Sequence, residues 1–191
     1  RDWSVTGVQT CALPICIIAV AYLNKAILPT TYILLGTNLG DKAANLALAT
    51  QLIAQKIGKV ENRSSVYETL PWGVEDQPIF YNQVLQLSTS FAPDELLATT
   101  QSIEQMMGRK KHRHWGERLI DIDILYLDDL VYETEHLNIP HIQIPNRRFT
   151  LIPLVEIAPD LKHPVLTLSQ TQLLDQCTDQ DRKSTRLNSS H

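Results

Sequence analysis

Apolar and polar positions alternate between two periods along this chain. Thr31-Tyr32-Ile33-Leu34-Leu35 is an apolar run of strand length, ended by Gly36. Gly36-Thr37-Asn38-Leu39-Gly40-Asp41 is turn chemistry that leads into a helix, with Asn38 or Asp41 as its N-cap. Leu46, Ala49, Ile53 and Ile57 then keep helical spacing, and Gly58 is a natural stop. Val60 to Thr69 and Tyr81 to Thr89 predict a second and a third strand, separated by a loop with Pro71, Trp72, Gly73 and Pro78. That loop is long for a hairpin, which points to a functional role. Pro93, Asp94 and Glu95 open a second helix, whose stripe Leu96, Thr100, Ile103 and Met107 closes at Gly108. A neighbouring stripe, Leu97, Gln101 and Glu104, is either an ordinary helix flank or a wall of a ligand site. Residues 119–127 predict a strand, and Asp128-Asp129 a turn. Short extended pieces run from Val131 through Leu137 to Ile139, and helices are expected over Arg147 to Ile157 and Ser169 to Cys177. The order strand, helix, strand, strand, helix, strand predicts an α+β fold: a ferredoxin-like βαββαβ antiparallel sheet with helices on one face plus C-terminal helical additions.

The 119–127 strand carries the chemistry. Asp121 and Asp123 stand two apart in the run Ile120-Asp121-Ile122-Asp123-Ile124. On a strand, such positions share a face about 7 Å apart. Their oxygens can therefore address one volume while the isoleucines pack on the other side. Two hard anionic ligands beside a cationic loop suit Mg²⁺ with a polyphosphate. A lone Asp-x-Asp reads more readily as a solvated strand face, so the neighbours decide.

Those neighbours are unusual. The chain has 191 residues, is 43% hydrophobic and 20% charged, and carries a net charge of −4. This is the composition of a globular chain and not of a basic nucleic-acid or membrane-surface binder. The ends, Arg1 to Ile15 and Arg182 to His191, resemble translated sequencing-adapter DNA. The expected division is therefore 1–28 as a non-native or uncertain leader, 29–178 as the domain and 179–191 as a non-native tail. Residues 1–16 hold one base and one acid, and 181–191 three bases and one acid; the remainder has 13 Lys+Arg against 19 Asp+Glu, a charge of −6. Seven of those 13 are Arg109, Lys110, Lys111, Arg113, Arg118, Arg147 and Arg148. An acidic protein that gathers its positive charge this tightly focuses it on an anion. Three irregularly placed cysteines give neither a disulfide framework nor zinc spacing, which fits a reducing cytosol. The apolar run Ile15 to Leu23 is too short for a bilayer span of about 20 residues and has no basic leader before it.

From about Thr31 to Cys177 the chain resembles the 6-hydroxymethyl-7,8-dihydropterin pyrophosphokinases of folate biosynthesis. The motifs are Gly36-Thr37-Asn38-Leu39-Gly40; Tyr67-Glu68-Thr69 with Pro71 and Gly73; Gln77-Pro78 with Phe80 and Asn82; and Gly108-Arg109. They continue with the block His114 to Leu125, Pro140-His141, Asn146-Arg147-Arg148-Phe149 and Pro153 to Pro159. The resemblance implies Mg-dependent transfer of pyrophosphate from ATP to the pterin hydroxymethyl group, releasing AMP. It implies that Asp121 and Asp123 hold two Mg²⁺ ions, and that Arg109 and Arg118, on or beside a closing loop, stabilise charge that grows during transfer. Lys111, His114, His141 and Arg147 would hold the triphosphate, with Leu97, Gln101, Glu104, Ile124, Trp115 and Arg118 also at the nucleotide.

For the pterin, Phe80 and Phe149 would stack on the two faces of the bicycle and Asn82 would pair with its edge. Thr69, Pro71 and Trp72 would complete that edge, and Trp115 would cover the entrance. Tyr81 replaces Phe80 if the strand register slips. The expected partners are ATP and hydroxymethyldihydropterin, with no nucleic acid and no membrane, for a monomer in the cytoplasm. Two departures from the family pattern bear on affinity: Ile142 and Gln143 follow His141 where Pro and Arg are common, and Lys111 replaces a common arginine. Two rival readings remain. One is a single-stranded RNA-binding module, which would have no reason to put two acids in its binding face. The other is a nucleotide-binding relative without activity, which the intact Asp pair disfavours.

Overall fold

The computed structural model describes residues 28–70, 78–108, 119–179 and 185–187. Strand β1 spans Thr30–Thr37. Helix α1, Lys42–Lys56, is capped by Asp41, whose carboxylate accepts from the Ala44 amide, so the N-cap is Asp41 and not Asn38. Leu46, Ala49 and Ile53 face the core as the spacing predicts. Gly58 follows because a Cβ there would collide with the Ser88 carbonyl oxygen.

The expected second strand divides into β2, Lys59–Arg63, and β3, Tyr67–Thr69. Both pair with β4, Phe80–Ser88. Ser64 stitches the break to β4. Its amide donates to the Val84 carbonyl, its hydroxyl accepts from the Val84 amide, and its carbonyl accepts from the Gln83 side chain. Helix α2, Pro93–Met106, starts on proline with Asp94 and Glu95 in its first turn. Strand β5, Asp121–Leu127, is followed by a small hairpin of β6, Tyr132–Glu133, and β7, Asn138–Ile139. Helices α3, Arg148–Ile157, and α4, Gln170–Gln176, come next; Ser169 and Gln172 form a capping box on α4. A short β8, Thr185–Arg186, pairs with β3.

The main sheet runs β5-β1-β4-β3-β8, with β2 also on β4, and its pairings are antiparallel. This is the expected βαββαβ order, with β1 and β4 interior. One face carries Ile33, Leu35, Leu85, Leu87, Ile122 and Ile124 against α1 and α2. The opposite face carries Tyr32, Leu34, Val84, Leu125 and Tyr126 against Leu151 and Leu154 of α3 and Leu173 of α4. The C-terminal helices therefore cover the second face, but only over part of its length. No helix among the described residues is long and apolar enough to cross a membrane.

Candidate active site

Cross-strand register builds the uncovered part of the second face. Tyr67 lies opposite Asn82, Asn82 opposite Gly36, and Gly36 opposite Asp121. Directly paired residues point to one side of a sheet. This row therefore brings the β3, β4, β1 and β5 side chains to one surface. A Cβ on Gly36 would come 3.2 Å from Asn82 Oδ1 and 3.9 Å from Asp121 Cβ, so glycine keeps the space between amide and carboxylate open. Asp123, opposite Leu34, lies on the same side, and both aspartates are half-buried. Ile120, Ile122 and Ile124 pack into the other face, as the alternation requires.

At the other end of the row, Asn82 is buried and donates through Nδ2 to Thr69 Oγ1 at 2.7 Å. Phe80, paired with Thr69, shares that side. Tyr81 instead packs toward the α1 side, where Lys42 Nζ lies 4.2 Å from its ring centroid. Phe80, and not Tyr81, is therefore the aromatic beside Asn82.

Among the described residues the outer edge of β5 has no strand partner, and its backbone groups are met by other elements. Glu104, buried on α2, accepts from the Ile122 amide at 2.9 Å. This pins the backbone between the two aspartates. The His141 amide donates to the Leu125 carbonyl at 3.0 Å. Between these contacts opens a cavity of about 180 Å³, lined by Leu97 of α2, Ile122 to Ile124, the hairpin residues His136, Leu137 and Asn138, and His141 with Ile142. Five aliphatic and four polar side chains share this lining, a mixed wall that can take a flat polar heterocycle. Asp123 stands on its wall.

His141 is half-buried. Its Nδ1 accepts from the Gln143 amide at 3.2 Å, which assigns the ring proton to Nε2. Burial, with the Arg147 guanidinium adding to it, pushes His141 down to about 4 against the opposite pull of Asp121. At neutral pH it is an uncharged donor. Arg147, at the N-cap of α3, has its guanidinium carbon 5.5 Å from the Phe149 ring centroid. Phe149 itself packs at the border of the second apolar cluster.

The structure thus gathers Asp121, Asp123, His141, Arg147, Leu97, Ile124 and Glu104 around the β5 edge, and Thr69, Phe80 and Asn82 on β3 and β4. Gln101 is exposed on α2 and is not among the residues lining the cavity. Pro71, Trp72, Arg109, Lys111, His114, Trp115 and Arg118 lie outside the described residues. His136, Leu137 and Asn138 had not been expected at a site. Two-residue strands are too short to show a period, so their only local sign is the turn chemistry before them.

A family profile for 7,8-dihydro-6-hydroxymethylpterin-pyrophosphokinase matches residues 32–159. The chain is 45% identical over 131 residues to the 2-amino-4-hydroxy-6-hydroxymethyldihydropteridine pyrophosphokinase of Methylorubrum extorquens, covering 68% of this chain and 83% of that one. It is 40% identical over 162 residues to the protein of that name from Haemophilus influenzae, covering 83% and 98%. Among solved structures, Plasmodium falciparum HPPK-DHPS with pteroate superposes with a TM-score of 0.64 at 18% identity. That likeness supports the fold, and this chain spans 44% of the larger protein's length and is itself covered over 78%.

Proposed function

Because the chain belongs to the 7,8-dihydro-6-hydroxymethylpterin-pyrophosphokinase family, we infer that it makes a pterin diphosphate for folate biosynthesis, using ATP as co-substrate. The hydroxymethyl oxygen attacks the β-phosphorus of ATP. The bond from that phosphorus to the α–β bridging oxygen breaks, AMP leaves with the oxygen, and the hydroxyl proton passes to solvent. One observation carries the reading: Asp121 and Asp123 share the sheet face that also presents Asn82, and Asp123 stands on the wall of the cavity beside β5.

The two carboxylates fit hard divalent cations such as Mg²⁺. Among the described residues no group of three or more His, Cys, Asp or Glu would hold a metal by itself. Cations held by this pair would take further ligands from phosphate oxygens and water, which would tie metal loading to ATP. Once bound, such ions neutralise the triphosphate and lower the pKa of the substrate hydroxyl.

The chain's own groups divide the rest of the work. Leu97, Ile124 and the β6–β7 hairpin hold the base. His141 donates from Nε2 to a phosphate oxygen without carrying charge, and Arg147 adds a guanidinium. Phe80 and Phe149 flank the pterin while Asn82 and Thr69 read its edge. Glu104 acts on the β5 backbone, a positioning role and not direct contact with ATP. Arg109 and Arg118 would meet the charge that grows during transfer, with Lys111, His114, Trp115, Pro71 and Trp72 completing the enclosure. We take the catalyst to be a monomer in the cytoplasm. Two acids in the exposed half of the sheet face would repel a nucleic-acid backbone, which disfavours the RNA-binding alternative.

The test is product analysis. Residues 29–178 incubated with ATP, Mg²⁺ and hydroxymethyldihydropterin should form AMP, with no turnover when pterin or metal is left out. Conversion of ATP to ADP, or turnover indifferent to the pterin, would overturn the reading.

A further inference from the structure

Two motifs, Tyr67-Glu68-Thr69 and Pro153 to Pro159, contribute no reacting group to this transfer, yet they meet at one carboxylate. Glu156 stands in the last turn of α3. Its Oε2 accepts from the Ser65 amide at 2.8 Å and from the Tyr67 hydroxyl at 3.1 Å, and its Oε1 accepts from the Ser65 hydroxyl at 2.7 Å. Arg186 reaches Oε1 at 3.2 Å from the outside. Burial alone would raise Glu156, but the bonds from Ser65 and Tyr67, with Arg186 beside them, outweigh it and hold the carboxyl below its ordinary range. The group is an anion that collects three protein donors from the break between β2 and β3.

The position of that break matters for the pterin. The proposed aromatic walls come from two different elements: Phe149 from the first turn of α3, and Phe80 from β4 beside Thr69 and Asn82. The space between them depends on how α3 lies on the sheet. Leu151 and Leu154 hold α3 down by apolar contact, which is non-directional and resists lifting better than sliding. Pro153 also removes the amide that would bond the Phe149 carbonyl, so the helix is less constrained along its own axis. Charge-assisted bonds to Ser65 and Tyr67 supply the missing direction. They lock the far end of α3 to the root of the strand that carries Thr69 two residues later.

We propose that Glu156 is a positioning residue for the pterin: through Ser65 and Tyr67 it fixes α3 against β3 and so sets the separation of the two aromatic walls. The proposal rests on the pterin reading above, and nucleotide binding, which leans on α3 through Arg147 alone, should respond to it less than pterin binding does. In Glu156→Gln one carbonyl oxygen faces three donors, while the side chain keeps its size.

The experiment compares wild type, Glu156→Gln and Tyr67→Phe in the full chain. It measures pterin affinity by equilibrium fluorescence and KM for both substrates. Pterin binding and pterin KM should weaken about tenfold in Glu156→Gln and about threefold in Tyr67→Phe, the scale of lost bonds to a charged group. KM for ATP should stay within about twofold, because α3 reaches the nucleotide only through Arg147 at its N-cap, while Leu97, Ile124 and His141 stand on other elements. Unchanged pterin affinity in folded Glu156→Gln, or pterin and ATP affinities falling together, would overturn the proposal. Should Glu156→Gln not fold, Tyr67→Phe carries the same two outcomes. A wild type that binds pterin and forms AMP beside an unaffected Glu156→Gln counts against the positioning role alone; a wild type that ignores pterin counts against the function itself.

Discussion

Strand β5 has two halves that face the same side of the sheet and do opposite work. Asp121 and Asp123 meet the site, whereas Leu125 and Tyr126 lie beneath α3 and α4. Tyr126 is fully buried, stacks edge-on with Tyr32 and His163, and accepts from Gln170 Nε2 at 2.9 Å. The difference between the halves is what covers them. Where a helix lies on the face, apolar side chains fill it and stability is gained. Where that cover stops, the same strand presents two carboxylates held in place by the packed half and by Glu104 at the edge. Few residues thus separate a position that folds the protein from one proposed to serve its chemistry.

The largest expected effect breaks the comparison at its polar half. Asp123→Asn, or Asp121→Asn, should lower kcat/KM by about a thousandfold or more, because ligand loss removes charge stabilisation needed in transfer. Thermal unfolding should leave the midpoint within about 3 °C of wild type, since a solvent-facing carboxylate replaced by its isostere opens no cavity. Tyr126→Ala is the mirror image. It should cost about 3–5 kcal/mol of stability by creating a large cavity, measured by urea unfolding, while kcat of the folded fraction stays within about twofold.

A smaller effect sharpens the boundary between the halves, where His141 sits. Its folded pKa is about 4, below the ordinary value near 6.5. Between those values the unfolded chain binds a proton that the folded one does not. Stability from this source is therefore complete above about pH 6.5 and is lost as pH falls toward 4, by no more than about 3 kcal/mol. His141→Asn should flatten that part of the urea-derived stability profile and raise KM for ATP. The smallest effect is expected outside both halves. Arg186 is largely exposed, so Arg186→Ala should shift stability by less than about 1 kcal/mol in urea unfolding.

Legibility of the sequence followed the range of the interactions. β1, α1, β4, α2 and β5 could be read because each writes its own period, and the Asp-x-Asp face followed from that period alone. The 60–69 segment reads as one strand because no glycine or proline interrupts it, although Glu61 to Ser65 carry no apolar position. What divides it is Ser64, whose amide, hydroxyl and carbonyl all bond to β4 residues 19 and 20 positions away, contacts that no local window contains. The choice between Phe80 and Tyr81 was open for the same reason: only register against β1 and β3 decides which side each ring takes. The roles of arginine, histidine and the pterin-side residues came from resemblance, not pattern. His136 to Asn138 were missed because a cavity wall made by a hairpin is a tertiary fact. Glu156 was legible as part of a motif, but its partners, about ninety residues earlier, were not.

The account depends on the two aspartates holding cations against the triphosphate, and Mn²⁺ binding followed by electron paramagnetic resonance tests this most directly. With a non-hydrolysable ATP analogue present, wild type should bind two Mn²⁺ per chain, and Asp121→Asn combined with Asp123→Asn should bind no more than the free analogue does. Equal Mn²⁺ binding by wild type and the double variant, at saturating nucleotide, would contradict it.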